Sequence, residues 1–124
     1  MGIDIYTKWD NMTESEKKGQ MTGFSIVSGN VGYLREAYHG APYATKLLLP
    51  EAFKAQGKYI SISAAKLKAR LPEALDAALI RERSIYKNKK ATLKSKMVQT
   101  YVDFVKLIER LEKANKHPKI CASY

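Results

Sequence analysis

The segment Gly32-Tyr33-Leu34-Arg35-Glu36-Ala37-Tyr38-His39-Gly40 holds the densest set of side chains able to do chemistry. Val31, Leu34 and Tyr38 fall at i, i+3 and i+7, so the spacing predicts a helix over residues 31–39. On that helix Gly32, Arg35, Glu36 and His39 form a polar stripe beside the apolar one. His39 would occupy the last turn, where the helix dipole favours an imidazolium. Near the N-terminus, Asp4, Tyr6, Trp9 and Asp10 add acids and aromatic rings at the exit of a short strand. Asp4 or Asp10 could orient His39, which is how a histidine becomes a base or a fixed donor. Tyr33, Tyr38 and Tyr43 would surround the stripe with rigid surfaces that also hydrogen-bond. The candidate ligand-binding set is therefore Asp4, Tyr6, Asp10, Tyr33, Arg35, Glu36, Tyr38 and His39. The plainer reading of the same residues is a solvated helix face with an Arg35–Glu36 network, with Trp9 packed on the core.

A metal or a cofactor is not expected. Glu36 and His39 have the Glu-x-x-His spacing of di-iron bundles, but such a site needs a second copy and two more carboxylates. The other histidine, His117, has no glutamate three positions before it. Zinc-ligand spacing, a Walker A loop and a Gly-x-Ser-x-Gly elbow are all missing. Gly29-Asn30-Val31-Gly32 has two of the glycines of a dinucleotide fingerprint and no βαβ unit around it, so it reads as a turn.

Charge marks a second candidate. The net charge is +10, distributed as +1 over residues 1–65 and +9 over residues 66–124. Residues 81–96 hold Arg81, Arg83, Lys87, Lys89, Lys90, Lys94 and Lys96 against Glu82 alone. Duplex phosphate contacts need only such cations. Lysine outnumbers arginine five to two, however, and base-edge reading favours arginine. Tyr86 is the only aromatic residue there, which gives stacking on single strands little support.

The elements that must position these groups follow from periodicity. Ile3 and Ile5 alternate with Asp4 in a strand near residues 2–6, and Ile60 and Ile62 mark another near 58–62. A tail strand near 119–123 is expected to pair with the first, and residues 24–27 are a fourth candidate. Thr13 and Glu16 form a capping box for a short helix that Gly19 would end. Pro50 either lets another short helix start at Glu51 or breaks a strand, and Ser63 caps a further helix over residues 64–69. Pro72 suits the first turn of a helix near residues 72–87. Leu93, Met97, Tyr101, Phe104, Ile108 and Leu111 form the stripe of a last helix near 91–116, expected to be the longest element, with His117-Pro118 stopping it. The fold class is α+β: a small antiparallel or mixed sheet packed by these helices. At 124 residues, without an internal boundary, the chain reads as one domain.

With 45% apolar and 27% charged residues, the composition is that of a globular protein. No apolar run approaches the roughly 18–20 residues of a membrane span. The opening Met-Gly-Ile-Asp-Ile lacks the signal-peptide pattern, and Tyr6 stands where a myristoylation motif wants Ser or Thr. One cysteine, Cys121, cannot form an intrachain disulfide and reads as a plain thiol, so the expected compartment is the cytoplasm.

The strings Gly-Ile-Asp-Ile-Tyr-x-Lys-Trp-Asp at 2–10, Gly-Tyr-Leu-Arg-Glu-Ala-Tyr-His-Gly at 32–40 and Pro-Tyr-Ala-Thr at 42–45 resemble a family of small uncharacterised bacterial proteins. The resemblance implies a free-standing domain, complete at both ends, and brings no activity, cofactor or partner. Three function classes follow, in this order. The first is a small cytoplasmic module binding a small molecule or a protein partner near residues 31–39. The second is a nucleic-acid-associated protein using residues 81–96. The third is a small enzyme with His39 as acid or base.

Overall fold

Alternation governs the N-terminus. In strand β1 (Gly2–Lys8), Ile3, Ile5 and Thr7 are buried on one face, while Asp4 and Tyr6 are half-buried and Lys8 is exposed on the other. The computed structural model describes residues 2–21, 29–38, 40–84 and 87–124. Strand β3 (Lys119–Ser123) runs antiparallel to β1, with Asp4 opposite Ser123 and Lys8 opposite Lys119. The tail thus pairs with the first strand, as its position at the other end of the chain predicts. Strand β2 (Leu34–Ala37) flanks β1 on the other side, also antiparallel, giving the order β2-β1-β3.

β2 corrects the helix expected over residues 31–39. Leu34 and Glu36 point to the core while Arg35 and Ala37 are half-buried, a period of two. The alternation is hidden in the sequence because one of the two inward residues is a glutamate, not an apolar residue. The strand expected near 58–62 reduces to a single bridge between Ile60 and Ile120, because Ser63 already opens the next helix. Residues 24–27 lie outside the described residues.

The helices begin where their caps stand. Thr13 and Glu16 exchange both capping-box bonds at the start of α1 (Glu14–Met21), and Gly19 lies inside that helix, not at its end. Two short helices follow, α2 (Ala44–Leu48) and α3 (Pro50–Lys54), the latter with proline in its first turn. The separate helices expected at 64–69 and 72–87 are one, α4 (Ala64–Ser84), with Pro72 inside it. Pro72 and Lys68 both face solvent, so water can take the Lys68 carbonyl that proline leaves without a donor. At 21 residues α4 is longer than α5 (Lys96–Lys113, 18 residues), which corrects the expectation that the last helix is the longest. Ala91 to Ser95 form turns ahead of α5, and Leu93 is exposed, not part of the buried stripe. α5 ends before His117: Asn115, with a positive φ, donates to Glu112, and Lys116 donates to Leu111, the pattern of a left-handed helix stop.

The core lies between the inner face of the sheet (Ile3, Ile5, Leu34, Ile120, Ala122) and the helices. Leu48, Leu67, Ala78, Val98, Tyr101, Phe104 and Ile108 fill it. The approach of the Gly29–Val31 turn to α5 requires glycine, since a Cβ at Gly29 would overlap the backbone of Thr100 and Phe104. The Gly29 amide instead donates to Thr100 Oγ1 at 2.7 Å. Among the described residues no helix is long and apolar enough to cross a membrane. The core helices α2, α4 and α5 pack on the inner face of the sheet, so functional groups on the strands divide between that face and the other.

Candidate functional site

The eight residues singled out from the sequence separate by strand parity. Asp4, Tyr6, Tyr33 and Arg35 come together on the outer face. Asp4 stands directly opposite Arg35, and its Oδ1 accepts from the Arg35 guanidinium at 2.8 Å and from the Tyr33 hydroxyl at 2.5 Å. Burial, with the hydrogen bond to Asp4 adding to it, pushes the Tyr33 hydroxyl up to about 12. The Tyr33 ring lies 5.5 Å from that of Tyr6, tilted by 39°, and so braces it. Burial, then the Asp4 charge, raises the Tyr6 phenol as well. Both rings are therefore neutral at physiological pH and act as flat surfaces and hydroxyl donors.

Glu36 goes the other way. It is 2% exposed, on the inner face, and its carboxylate accepts from the backbone N–H groups of Ala44 and Thr45, from Thr45 Oγ1 and from Arg81. It thereby caps the start of α2 and joins it to α4. Asp10 is drawn to the far end of β1, where its Oδ2 lies 2.7 Å from His117 Nδ1 and its backbone N–H donates to Lys116. The structure thus gives Asp10 to the second histidine. Tyr38 is exposed beyond the end of β2. His39 lies outside the described residues, so the convergence expected of it with a carboxylate does too. Asp4 and Asp10, the carboxylates expected to orient it, are held by other groups, Asp4 by Tyr33 and Arg35 and Asp10 by His117, and Glu36 is held by Arg81 and Thr45.

The basic corner also divides. Arg81 is internal, 3% exposed, with its guanidinium on Glu36 at 2.8 Å. Arg83 is exposed, but its Nε donates to the Ala91 carbonyl at 2.9 Å. Lys87, Lys89, Lys90, Lys94 and Lys96 are exposed. The two arginines that base reading would favour are therefore committed to the fold.

Next to the Asp4 cluster, on the same side of β1, lies a cavity of about 380 Å³. Tyr6, Lys8, Met12, Lys17, Gln20 and Tyr59 line it, together with Thr7. Its volume falls within the roughly 300–1,000 Å³ usual for small-molecule sites. Lys8 follows Tyr6 on the outer face by parity, and its ammonium stands 4.3 Å above the Tyr59 ring. Lys17 comes from α1 with an exposed partner, Glu14, at 3.5 Å, a contact of small energetic value that exchanges readily with solvent ions. Gln20, one turn further along, fixes α1 to β1 through Thr7: its side chain accepts from the Thr7 N–H and donates to the Thr7 carbonyl. The Thr7 hydroxyl is buried and has no hydrogen-bond partner among the described residues. Cys121 stands opposite Tyr6 on β3, donates to the Gly57 carbonyl at 3.2 Å, and has its thiol pushed up by burial.

Lys8, Met12, Lys17, Gln20 and Tyr59 are the lining residues that sequence reasoning missed. The signal for Lys8 is its place two residues after Tyr6 in an alternating strand; Lys17 and Gln20 share a helix face at i, i+3. The lining offers two aromatic rings, a thioether and two ammonium groups, with no acidic residue among them. This is chemistry for holding a flat anion. Among the described residues, no three His, Cys, Asp or Glu side chains converge to hold a metal ion. Comparison of the chain with protein-family models, curated proteins and solved structures finds no match in any of the three.

Proposed function

We propose that the protein is a binding module that takes a flat, anionic ligand in the cavity on the outer face of its sheet, beside β1. The observation that carries this reading is the lining itself: Tyr6, Tyr59 and Met12 with Lys8 and Lys17, and no carboxylate. Folding alone does not require these side chains to share a cavity. Binding is favoured over catalysis because Asp4, Asp10 and Glu36 are each held by other groups. The free thiol of Cys121 fits a reducing compartment, and the proposal places the module in the cytoplasm.

Titration calorimetry with 1-naphthyl phosphate and with uncharged 1-naphthol tests it. The phosphate binds more tightly than the alcohol, and Lys8→Gln with Lys17→Gln removes the difference. Equal affinity for the two compounds, or no binding of either at millimolar concentration, would overturn the proposal.

A further inference from the structure

We infer that the ligand of this cavity is a nucleotide unit, an aromatic base carrying a phosphate, either free or within a single strand. The inference rests on the reading of the cavity as a flat-anion site and names the class of ligand. Tyr6 and Tyr59 supply ring surfaces from two separate segments, and Tyr33 behind Tyr6 keeps the first in place. Bases stack on such rings with little preference for sequence.

The phosphate is argued from charge. Lys8 and Lys119 stand directly opposite each other on β1 and β3, and both are exposed. Like charges directly opposite in an antiparallel pair destabilise a sheet. A phosphate on Lys8 offsets that repulsion. The Lys8 ammonium already lies 4.3 Å above the Tyr59 ring, so a base stacked on that ring displaces it toward the base's own phosphate. Lys17 closes the cavity from α1. In a single strand Lys119, outside the cavity lining, meets the neighbouring phosphate.

Competition against 1-naphthyl phosphate decides the matter, with 5′-AMP and a six-residue oligoadenylate as probes. Both displace the naphthyl compound. Tyr59→Ala weakens both about tenfold, the equivalent of about 1.4 kcal/mol of stacking, and Tyr59→Phe changes them less than about twofold. If AMP binds as tightly as the oligonucleotide, the ligand is a free nucleotide. If the oligonucleotide binds more tightly and Lys119→Gln removes the excess, it is a single strand. If 1-naphthyl phosphate binds and neither nucleotide probe displaces it, the inference falls while the flat-anion reading stands. If nothing binds, both fall.

Discussion

The Gln20 side chain takes the place of a missing strand beside Thr7. Its Oε1 accepts from the Thr7 N–H at 3.0 Å and its Nε2 donates to the Thr7 carbonyl at 2.7 Å. β2 pairs with β1 only as far as Ile5, so the edge of β1 continues past it, and an amide from α1 satisfies the edge as a peptide would. The same contact sets α1 against the sheet, with Lys17 one turn away. Gln20→Ala should leave both buried backbone groups without partners and cost about 2–3 kcal/mol. Gln20→Glu, which keeps the acceptor but not the donor, should destabilise as well. Urea unfolding checks this. Midpoints within error of the parent would mean that the edge is satisfied by other groups.

Glu36 and Arg81 form the internal link between β2, α2 and α4. Arg81→Met removes the counter-charge from a buried carboxylate and should cost about 3–5 kcal/mol. The double variant Glu36→Gln with Arg81→Met should be more stable than Arg81→Met alone, because it removes the Glu36 charge that the single variant leaves buried without its guanidinium. A double-mutant cycle measures the coupling. Additive single effects would show that the pair is not a unit.

The pair formed by Glu51 and Arg70 carries a pH dependence. Arg70 donates from both terminal nitrogens to the two Glu51 oxygens, and this holds the Glu51 carboxyl below its ordinary value. A depressed folded pKa means that the stabilisation is present above the unfolded value of about 4.3 and is lost as pH falls through the folded one. Glu51→Gln should therefore be less stable than the parent near neutral pH, with the gap closing as acidification passes below the ordinary carboxylate range. Unfolding midpoints across that window are the check. A gap independent of pH would refute the assignment.

The exposed lysines at residues 87–96 are expected to be a solvated surface. Replacing Lys87, Lys89 and Lys90 together by Glu should change neither the unfolding midpoint by more than about 0.5 kcal/mol nor the affinity for 1-naphthyl phosphate by more than about twofold. Micromolar binding of generic duplex DNA by the parent, falling with log salt at about −0.9 per phosphate and lost in the triple variant, would contradict this.

The parts of the fold legible from sequence are those whose buried faces are apolar. Ile3 and Ile5 announce β1, Ile120 and Ala122 announce β3, and the stripe through Tyr101, Phe104 and Ile108 announces α5. β2 was illegible because Glu36 occupies an inward position, which makes sense only once Arg81, 45 residues away, is beside it. The continuity of α4 through Pro72 was hidden because it depends on Lys68 and Pro72 both lying on the solvent side of the helix, which no local pattern records. Asp4, Tyr6, Tyr33 and Arg35 were legible as residue types, although strand register and not a helix stripe brings them together. Tyr59 and Lys8 meet through tertiary approach alone, since 51 positions separate them.

Chemical-shift mapping of the labelled protein during titration with 1-naphthyl phosphate is the most direct test that the outer face of the sheet is the binding surface. The shifts should concentrate on Tyr6, Lys8, Met12, Lys17, Gln20 and Tyr59, the lining of the cavity beside β1. They should leave residues 87–96 unmoved. Shifts confined to those basic residues, or none anywhere at millimolar ligand, would contradict the account.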